Sequence, residues 1–349
     1  MDDDTSKGKI LLKSLHTILG NPASFCFFVA TAVSVGLGEF RQVNVADVTI
    51  DYLAIMGCSC GCSGMFFWMR GRRGLCRIFT HLGKAAEMLE DLGPSTEKSL
   101  QKKMARVAKM AWMPCYGLWV FCSLTWLGAA VTGLYPIRIY FFEGTPHWFR
   151  MMIEVAFHGQ VAGIVVPSLY TAILLFVLAS GALLDTLNEE LRKCRGDEQH
   201  LMAIVEVHQQ VMIASTIARN LFQDQFLIFG LIWCSTLIVS LLNIVTGCYS
   251  VLPVGLTPLA TSVIACACEA GDILVWKSTK TWEAVFHSGW ELAGKPFRQR
   301  VVLILLRSKQ PAHLTIRMVG ICSRPRLKIL NKMYSIFTLM LSAFDDSSC

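Results

Sequence analysis

Residues Gln225–Val245 read QFLIFGLIWCSTLIVSLLNIV, a run of 21 residues that contains no charged side chain. A helix of about 20 mostly apolar residues is long enough to cross the hydrocarbon core of a bilayer. Other stretches share this apolar character, and together they give candidate spans at residues 16–38, 48–69, 110–134, 153–184, 225–245, 254–276 and 323–341. The sequence therefore predicts an all-α membrane protein in which residues 1–349 form a single domain with seven transmembrane helices.

The composition of the chain indicates that lipid, rather than water, is the solvent for much of its surface. Of the 349 residues, 54% are hydrophobic and 16% are charged, and the mean hydropathy is +0.49. Soluble globular proteins carry roughly 25% charged residues. Most of the 14 cysteines lie inside apolar stretches, where a free cysteine behaves as a small hydrophobic side chain. A disulfide scaffold is therefore not predicted.

The lysines and arginines set the predicted orientation, because the cytoplasmic loops of membrane proteins are enriched in them. With the N-terminus in the cytoplasm, 24 of the 32 basic residues fall in the cytoplasmic segments 1–14, 70–109, 185–223 and 277–310. The external loops hold only Arg41, Arg138 and Arg150. The N-terminus is therefore predicted to be cytoplasmic, and this uneven placement argues against nucleic-acid binding. The three longer cytoplasmic segments are rich in helix formers and are expected to be helical extensions.

No pattern in the sequence supports catalysis. Nothing resembles a nucleophile–base set, a phosphate-binding loop or a dinucleotide-binding turn. The run Cys58-Ser59-Cys60-Gly61-Cys62 lies in an apolar span and lacks a second pair of ligands at zinc-finger spacing, so it is interpreted as helix packing by small residues. The chain is therefore predicted not to be an enzyme and to need no cofactor and no metal.

The C-terminal part of the chain carries a group of short motifs. They are Cys268-x-x-Gly271, Ser278, Trp290, Phe297-Arg298, the run Leu305-Leu306-Arg307-Ser308-Lys309-Gln310-Pro311 and the run Tyr334-Ser335-Ile336-Phe337-Thr338-Leu339. In these motifs the chain resembles the C-terminal region of the insect odorant receptor family. Weaker similarity extends back through the fifth span to the fourth, and before Met110 the similarity is mostly one of topology.

This resemblance implies an activity and a set of partners. Members of the family form tetrameric, non-selective cation channels in the plasma membrane of olfactory sensory neurons. A tuning subunit usually assembles with one shared coreceptor subunit, and a small volatile apolar ligand binds between helices in the outer half of each subunit. The resemblance also implies that the amphipathic block at residues 297–310 belongs to a cytoplasmic anchor region that holds the tetramer together.

Two groups of site residues are expected from the same resemblance. In the family the seventh helix lines the pore, and one face of the last span supplies the pore-lining candidates Tyr334, Phe337, Met340 and Leu341. A hydrophobic ring of this kind gates by excluding water. Ligand contacts are expected on the outer halves of spans two, three and four, at Tyr52, Ile55, Trp126, Phe157, Val161 and Ile164. Shape and dispersion should dominate such a pocket.

The chain departs from the family pattern in two places. Few residues precede the first span, and the Ser-Leu-Glu-Thr-Phe run that opens the last helix of the family is replaced by Ser323-Arg324-Pro325-Arg326-Leu327. The added cations either face the cytoplasmic vestibule or pair with acids. Otherwise the subunit conducts poorly alone, and the coreceptor supplies most of the permeation path.

Other receptor classes stay open at this point. A gustatory receptor of the same superfamily usually ends with Thr-Tyr-x-x-x-x-x-Gln, whereas this chain has Met333-Tyr334 followed by Met340 in place of the glutamine. A G-protein-coupled receptor has its N-terminus outside, which would place the basic segment 70–109 outside as well, against the charge rule. A membrane transporter is the remaining alternative. The motifs favour the odorant receptor family.

Overall fold

The computed structural model describes residues 45–132, 146, 148–149, 166–194, 197–245, 251–308, 312, 315–316, 319–320, 335 and 338. Its α-helices are α1 (Val45–Glu90), α2 (Pro94–Thr132), α3 (Val166–Lys193), α4 (Glu198–Val245), α5 (Val251–Phe286) and α6 (Lys295–Ser308). A 3₁₀-helix at Trp290–Leu292 connects α5 to α6. Two-residue strands, β1 (Thr315–Ile316) and β2 (Val319–Gly320), pair antiparallel. Apart from this small hairpin, the described elements are helical.

Two of the helices are much longer than a membrane is thick. Helix α1 has 46 residues and α4 has 48 residues, which correspond to about 70 Å each at a rise of 1.5 Å per residue. The hydrocarbon core of a bilayer is only about 30 Å thick. Charged residues gather in the C-terminal half of α1 and the N-terminal half of α4, so these halves extend beyond the lipid. The cytoplasmic segments expected to be helical extensions are thus helical where the structure describes them.

By length and composition, three of the described helical stretches could cross a membrane. They are Ser168–Lys193, Glu198–Val245 and Val254–Phe286. The predicted span at residues 48–69 lies within α1, and the span at residues 225–245 forms the C-terminal half of α4. The predicted span at residues 16–38 lies outside the described residues, and of the span at residues 323–341 only Ser335 and Thr338 are described.

Helices α1 and α2 form a hairpin that turns at Gly93. Its φ of 149° falls where residues with a β-carbon are strained, and a glycine is therefore required there. Pro94 follows as the first residue of α2, a position at which its missing N–H costs no helical hydrogen bond. The carbonyl oxygen of Gly93 accepts hydrogen bonds from the N–H groups of Thr96 and Glu97, at 3.1 and 3.0 Å. The sharp turn makes the two helices antiparallel.

Helices α1 and α4 pack closely along an antiparallel interface. Gln225 Nε2 donates to the carbonyl and hydroxyl oxygens of Ser63, at 3.0 and 2.9 Å. The rings of Phe67 and Phe222 stack with their centroids 5.6 Å apart. Glycines on α1 allow this approach, since a β-carbon at Gly74 would lie 3.1 Å from Leu221. This interface fixes the height of α4 relative to α1.

Helix α3 lies in the core of the bundle. Its fully buried side chains include Phe176, Leu183, Leu184 and Leu187. Trp68 Nε1 of α1 donates to Ser168 Oγ of α3 at 3.1 Å, so Ser168 lies level with the inner end of the second predicted span. The apolar residues that follow Ser168 therefore continue inward between other helices. Their hydrophobicity reflects burial in protein, which hydropathy alone does not distinguish from burial in lipid.

Candidate functional site: the anchor region

The predicted ligand and pore residues fall at or beyond the edge of the described structure. Tyr52 and Ile55 are on α1 and Trp126 is on α2, but their side chains are not among the described ones. The other ligand candidates Phe157, Val161 and Ile164, and the pore candidates Tyr334, Phe337, Met340 and Leu341, lie outside the described residues. Their roles stay predictions. The functional region that the structure does describe is the inner bundle, named here the anchor region: residues 70–109, 185–223 and 277–308.

An acidic cluster at the end of α3 connects three helices of the anchor region. Glu190 is buried, and its Oε1 accepts hydrogen bonds from Thr96 Oγ1 of α2 at 2.9 Å and from Lys193 Nζ at 2.7 Å. His200 Nε2 of α4 lies 3.3 Å from its other oxygen. Burial raises the pKa of this carboxyl, but Lys193, Thr96 and His200 together bring that pKa below its ordinary value. Glu190 is therefore held ionised where α2, α3 and α4 meet.

Two further contacts connect α3 to its neighbours. Lys103 of α2 forms an ion pair with Glu189 at 2.9 Å and donates to Thr186 Oγ1 at 3.1 Å. On the other side of the helix, Asp185 accepts a hydrogen bond from Lys277 of α5, and neither side chain is more than a third exposed. A partly buried ion pair is less screened by solvent than a surface pair, so it fixes geometry more strongly. Helix α3 is thereby joined by charge to both α2 and α5.

The connection from α3 to α4 is also specified by polar groups. Asp197 Oδ1 accepts hydrogen bonds from the backbone N–H groups of Gln199 and His200 at 3.0 and 3.2 Å, which is the geometry of a helix N-cap. Burial, together with the charges of Asp197 and Glu190, raises the pKa of the nearby Cys194 thiol to about 11. This cysteine is therefore a neutral, unreactive core residue at physiological pH.

Helix α6 packs one face against α4 and α5. Phe297, Val301 and Ile304 on that face are buried, with Phe297 only 2% exposed. Arg300 Nη1 donates to Glu198 Oε1 at 2.6 Å, which connects α6 to the start of α4. Beyond the helix, the N–H of Ala312 donates to Ser278 Oγ of α5 at 3.0 Å. These contacts fold the chain after α5 back along the inner bundle.

His208 lies on the inner half of α4, within this packed region. Its side chain is 4% exposed, and the charge of Arg307 on α6 acts on it. Burial and this positive charge lower the pKa of His208 to about 4. The imidazole is therefore neutral at physiological pH and serves as a core residue of the anchor region.

The opposite face of α6 is exposed and carries three apolar side chains. Val302, Leu303 and Leu306 are 47%, 61% and 64% exposed, whereas Val301 and Ile304 of the same helix are buried. Leucine at these exposures on a helix outside the lipid leaves a contiguous apolar surface in contact with water, and such surfaces mark interaction sites. On the described part of this block, residues 297–308, the exposed side thus carries three apolar side chains beside the polar Arg298, Gln299 and Arg307.

The sequence predicted the position of the anchor helix but not the polar contacts that support it. Asp185 directly follows the predicted span at residues 153–184, and Lys277 directly follows the span at residues 254–276. Because the two charges are opposite and lie at the inner ends of their spans, the sequence indicates that these side chains could pair. Glu190 gave a weaker signal, because only Lys193 is a local partner on the same helix, whereas Thr96 and His200 come from α2 and α4. Such a convergence is a property of the tertiary fold.

Comparisons with known proteins agree with this architecture. The family described as 7tm Odorant receptor matches residues 46–331. The insect olfactory receptor OR5 from Machilis hrabei has the same fold, with a TM-score of 0.75 at 14% sequence identity over 98% of this chain and 100% of that one. The structure of that receptor in complex with eugenol gives a TM-score of 0.73 at 13% identity over the same shares. No curated protein sequence gave a match.

The structural likeness shows that the chain has the all-α, seven-helix membrane fold of the insect olfactory receptors. The family match covers most of the chain and includes the motifs between Cys268 and Pro311. It confirms the resemblance found in the sequence and decides between the odorant and gustatory alternatives. This chain belongs to the 7tm odorant receptor family.

Proposed function

We propose that the chain is an odorant receptor subunit that binds small volatile apolar ligands and gates a non-selective cation channel. In this proposal it assembles with a shared coreceptor subunit into a tetramer in the plasma membrane of olfactory sensory neurons. The proposal rests on the family match and on the likeness to a receptor whose structure was determined with eugenol. It also explains why an anchor helix presents an apolar face that the chain itself does not cover.

The exposed face of α6 is the observation that supports the proposed assembly into a tetramer. Isolated exposed leucines are common on protein surfaces, but Val302, Leu303 and Leu306 lie together on one side of a single helix. The other side of that helix is fixed by Phe297 and Val301 in the core. Such a side is suited to pack against a neighbouring subunit, where burial of its leucines would be favourable.

Gating follows from a difference in affinity between two arrangements of the helices. An odorant that binds the open arrangement more tightly shifts the population toward it by the ratio of the two affinities. The proposed ligand residues lie on the outer parts of α1 and α2 and before α3, whereas the anchor region holds the inner parts of the same helices. Movement at the outer ends, with the inner ends held, would spread the last spans and widen their hydrophobic ring.

The central test is electrical recording from cells that express the chain with the odorant coreceptor. A panel of small volatile compounds, eugenol among them, should evoke cation currents that are absent when either subunit is expressed alone. A response that persists without the coreceptor and needs a G protein would instead support a G-protein-coupled receptor, whose N-terminus lies outside the cell.

Variants of α6 test the assembly separately from ligand binding. Leu303→Glu combined with Leu306→Glu should abolish co-purification with the coreceptor and the evoked current, because two carboxylates would be buried at the subunit contact. The matched control is Ile213→Glu, which changes an aliphatic side chain of α4 that is 43% exposed. Equal losses in the double variant and the control would contradict a specific contact through α6.

Variants at the ligand candidates test the pocket. Trp126→Ala should shift the concentration of odorant that gives a half-maximal current by about tenfold or more, since an aromatic contact in a small apolar pocket carries a large part of the binding energy. Trp112→Ala, which changes an exposed tryptophan near the inner end of the predicted span at residues 110–134, should leave that concentration unchanged. If Trp126→Ala leaves the half-maximal concentration unaltered, this side chain is not part of the pocket.

A further inference from the structure

Two groups among the arginines and lysines of the inner bundle differ in their partners. The first group has a carboxylate within ion-pair distance: Lys103, Lys193, Lys277 and Arg300. A second group lies where α1 and α2 leave the lipid and is named here the basic belt: Arg70, Arg72, Arg73 and Arg77 on α1, with Arg106 and Lys109 on α2. All six belt side chains are exposed, and none forms an ion pair with a carboxylate of the described residues.

The belt lies directly beside side chains suited to lipid. On α1, Phe66 and Met69 are exposed immediately before Arg70, and the guanidinium of Arg70 sits 5.9 Å from the ring centroid of Phe66. On α2, Lys109 is followed by the exposed side chains of Met110, Trp112, Met113 and Tyr116. An exposed tryptophan next to cations is typical of the boundary between lipid tails and headgroups.

The hairpin brings the two basic segments to similar heights. Counted from the turn at Gly93, Lys109 is as far along α2 as Arg77 is along α1, and Met113 is level with Arg73. At 1.5 Å per residue, the heights from Arg70 to Arg77 span about 10 Å, which is comparable with the thickness of a headgroup layer. The six cations together span about 15 Å along the hairpin, because Arg106 lies closer to the turn than Arg70 does, and the exposed apolar side chains of α2 lie within that range.

We infer that the basic belt binds the anionic headgroup of an inner-leaflet phospholipid that carries several phosphates, a phosphoinositide. Four arginines within eight residues of α1 present planar guanidinium groups, each of which can bind two phosphate oxygens at once. The adjacent exposed phenylalanine, methionines and tryptophan contact the acyl chains of the same lipid. This inference goes beyond the proposed channel activity and is independent of it, because it depends only on the fold and on the inner leaflet being the one the belt faces.

The test uses the purified full chain in phosphatidylcholine nanodiscs that contain dansyl-labelled phosphatidylinositol 4,5-bisphosphate. Energy transfer from protein tryptophans reports the labelled lipid near the belt, and unlabelled lipids compete with it. Transfer should exceed that to dansyl-labelled phosphatidylcholine, and it should weaken when salt rises from 0.1 to 1 M, since the Debye length falls from about 10 to about 3 Å. Equal transfer to the two labelled lipids would overturn the inference.

Two pairs of substitutions remove the same charge from different heights of the same hairpin. Arg72→Gln with Arg73→Gln should weaken phosphoinositide binding about 25-fold, since each basic residue at an anionic surface contributes about fivefold. The matched control, Lys84→Gln with Lys98→Gln, removes two exposed cations near the turn at Gly93 and should change binding less than twofold. Equal weakening by both pairs would show general charge attraction and overturn a localised site.

Soluble inositol trisphosphate separates a lipid site from a site for free phosphates. If the lipid tails contribute, this headgroup alone should compete at least tenfold less well than the intact lipid. Equal competition would assign the belt to a soluble phosphate compound and overturn the lipid assignment. All the substituted side chains are exposed, so each variant should retain the elution volume of the unmodified chain on size exclusion.

Discussion

Both faces of α6 carry large apolar side chains, but only one of the two faces is buried. On one face Phe297, Val301 and Ile304 are buried against the inner bundle. On the other face Leu303 and Leu306 stand in solvent beyond the lipid. Composition and amphipathicity alone would not separate these faces. The buried face therefore stabilises the fold, whereas the exposed face is the one on which the proposed contact with another subunit depends.

The largest effect on stability is expected from removing a side chain of the buried face. Phe297→Ala should lower the free energy of unfolding by roughly 3–5 kcal/mol, because it deletes a fully buried ring and leaves a cavity. Thermal unfolding of the detergent-solubilised chain measures the loss. A change within about 0.5 kcal/mol, as expected for a surface position, would mean that α6 is not held by this face.

A pH titration tests how well α6 covers His208. The pKa of His208 is about 4 in the folded chain and has its ordinary value of about 6.5 when the chain is unfolded. The contribution of neutral His208 to the free energy of unfolding is therefore fully present above pH 6.5. It is lost as the pH falls toward 4, because only the unfolded chain takes up the proton, and the loss approaches about 3 kcal/mol.

Comparison with His208→Leu isolates this contribution from the carboxyl groups that also titrate on acidification. The leucine variant should lose less stability than the unmodified chain between pH 6.5 and 4. The variant His287→Leu, in which an exposed histidine is replaced, should follow the unmodified chain. If His208→Leu also lost as much stability as the unmodified chain, His208 would be accessible to water, and the cover provided by α6 would be incomplete.

Removal of the ion pair between Asp185 of α3 and Lys277 of α5 should lower the free energy of unfolding by an intermediate amount. This pair holds α5, against which α6 packs. Replacement by Asp185→Asn and Lys277→Met, separately and together, should give a coupling energy of roughly 1–2 kcal/mol, reduced from the value for a fully buried pair by the residual solvent exposure. The more exposed pair of Arg300 and Glu198 should give less than about 1 kcal/mol in the same double-mutant cycle. The opposite ranking would contradict the burial of the first pair.

The smallest effect is expected on the exposed face. Leu303→Ala should change the thermal stability of the isolated subunit by less than about 0.5 kcal/mol, because the side chain has few contacts within its own chain. Destabilisation as large as that of Phe297→Ala would remove the distinction between the two faces, since Leu303 would then belong to the core.

The fold was largely accessible from the sequence, because long apolar runs and the uneven distribution of cations are local signals. The run at Gln225–Val245 predicted a helix, and the polar segments around it predicted the helical extensions that the structure shows. The role of the residues after Ser168 was not accessible in the same way. They are as apolar as a lipid-facing span but are buried between helices, which depends on packing by distant segments and is visible only in the folded structure.

The candidate site was accessible only in part. The motifs from Cys268 to Pro311 identified the family and the anchor helix, but they did not indicate which face of that helix is covered. That distinction depends on the side chains of α4 and α5 that pack against Phe297 and Ile304, and these come from distant parts of the sequence. The ligand and pore residues stay predictions for experiments to decide.

Helix α4 runs without a proline for 48 residues, and the inner half of this rod is packed among other helices while its outer half lies at the level of the membrane. Because this helix is about 70 Å long, a tilt of about 3° about one end displaces the other end by about 4 Å. Because the inner half is packed among other helices, a small tilt about that half moves the outer end by several ångström, and no helix has to unfold or rebuild for this displacement.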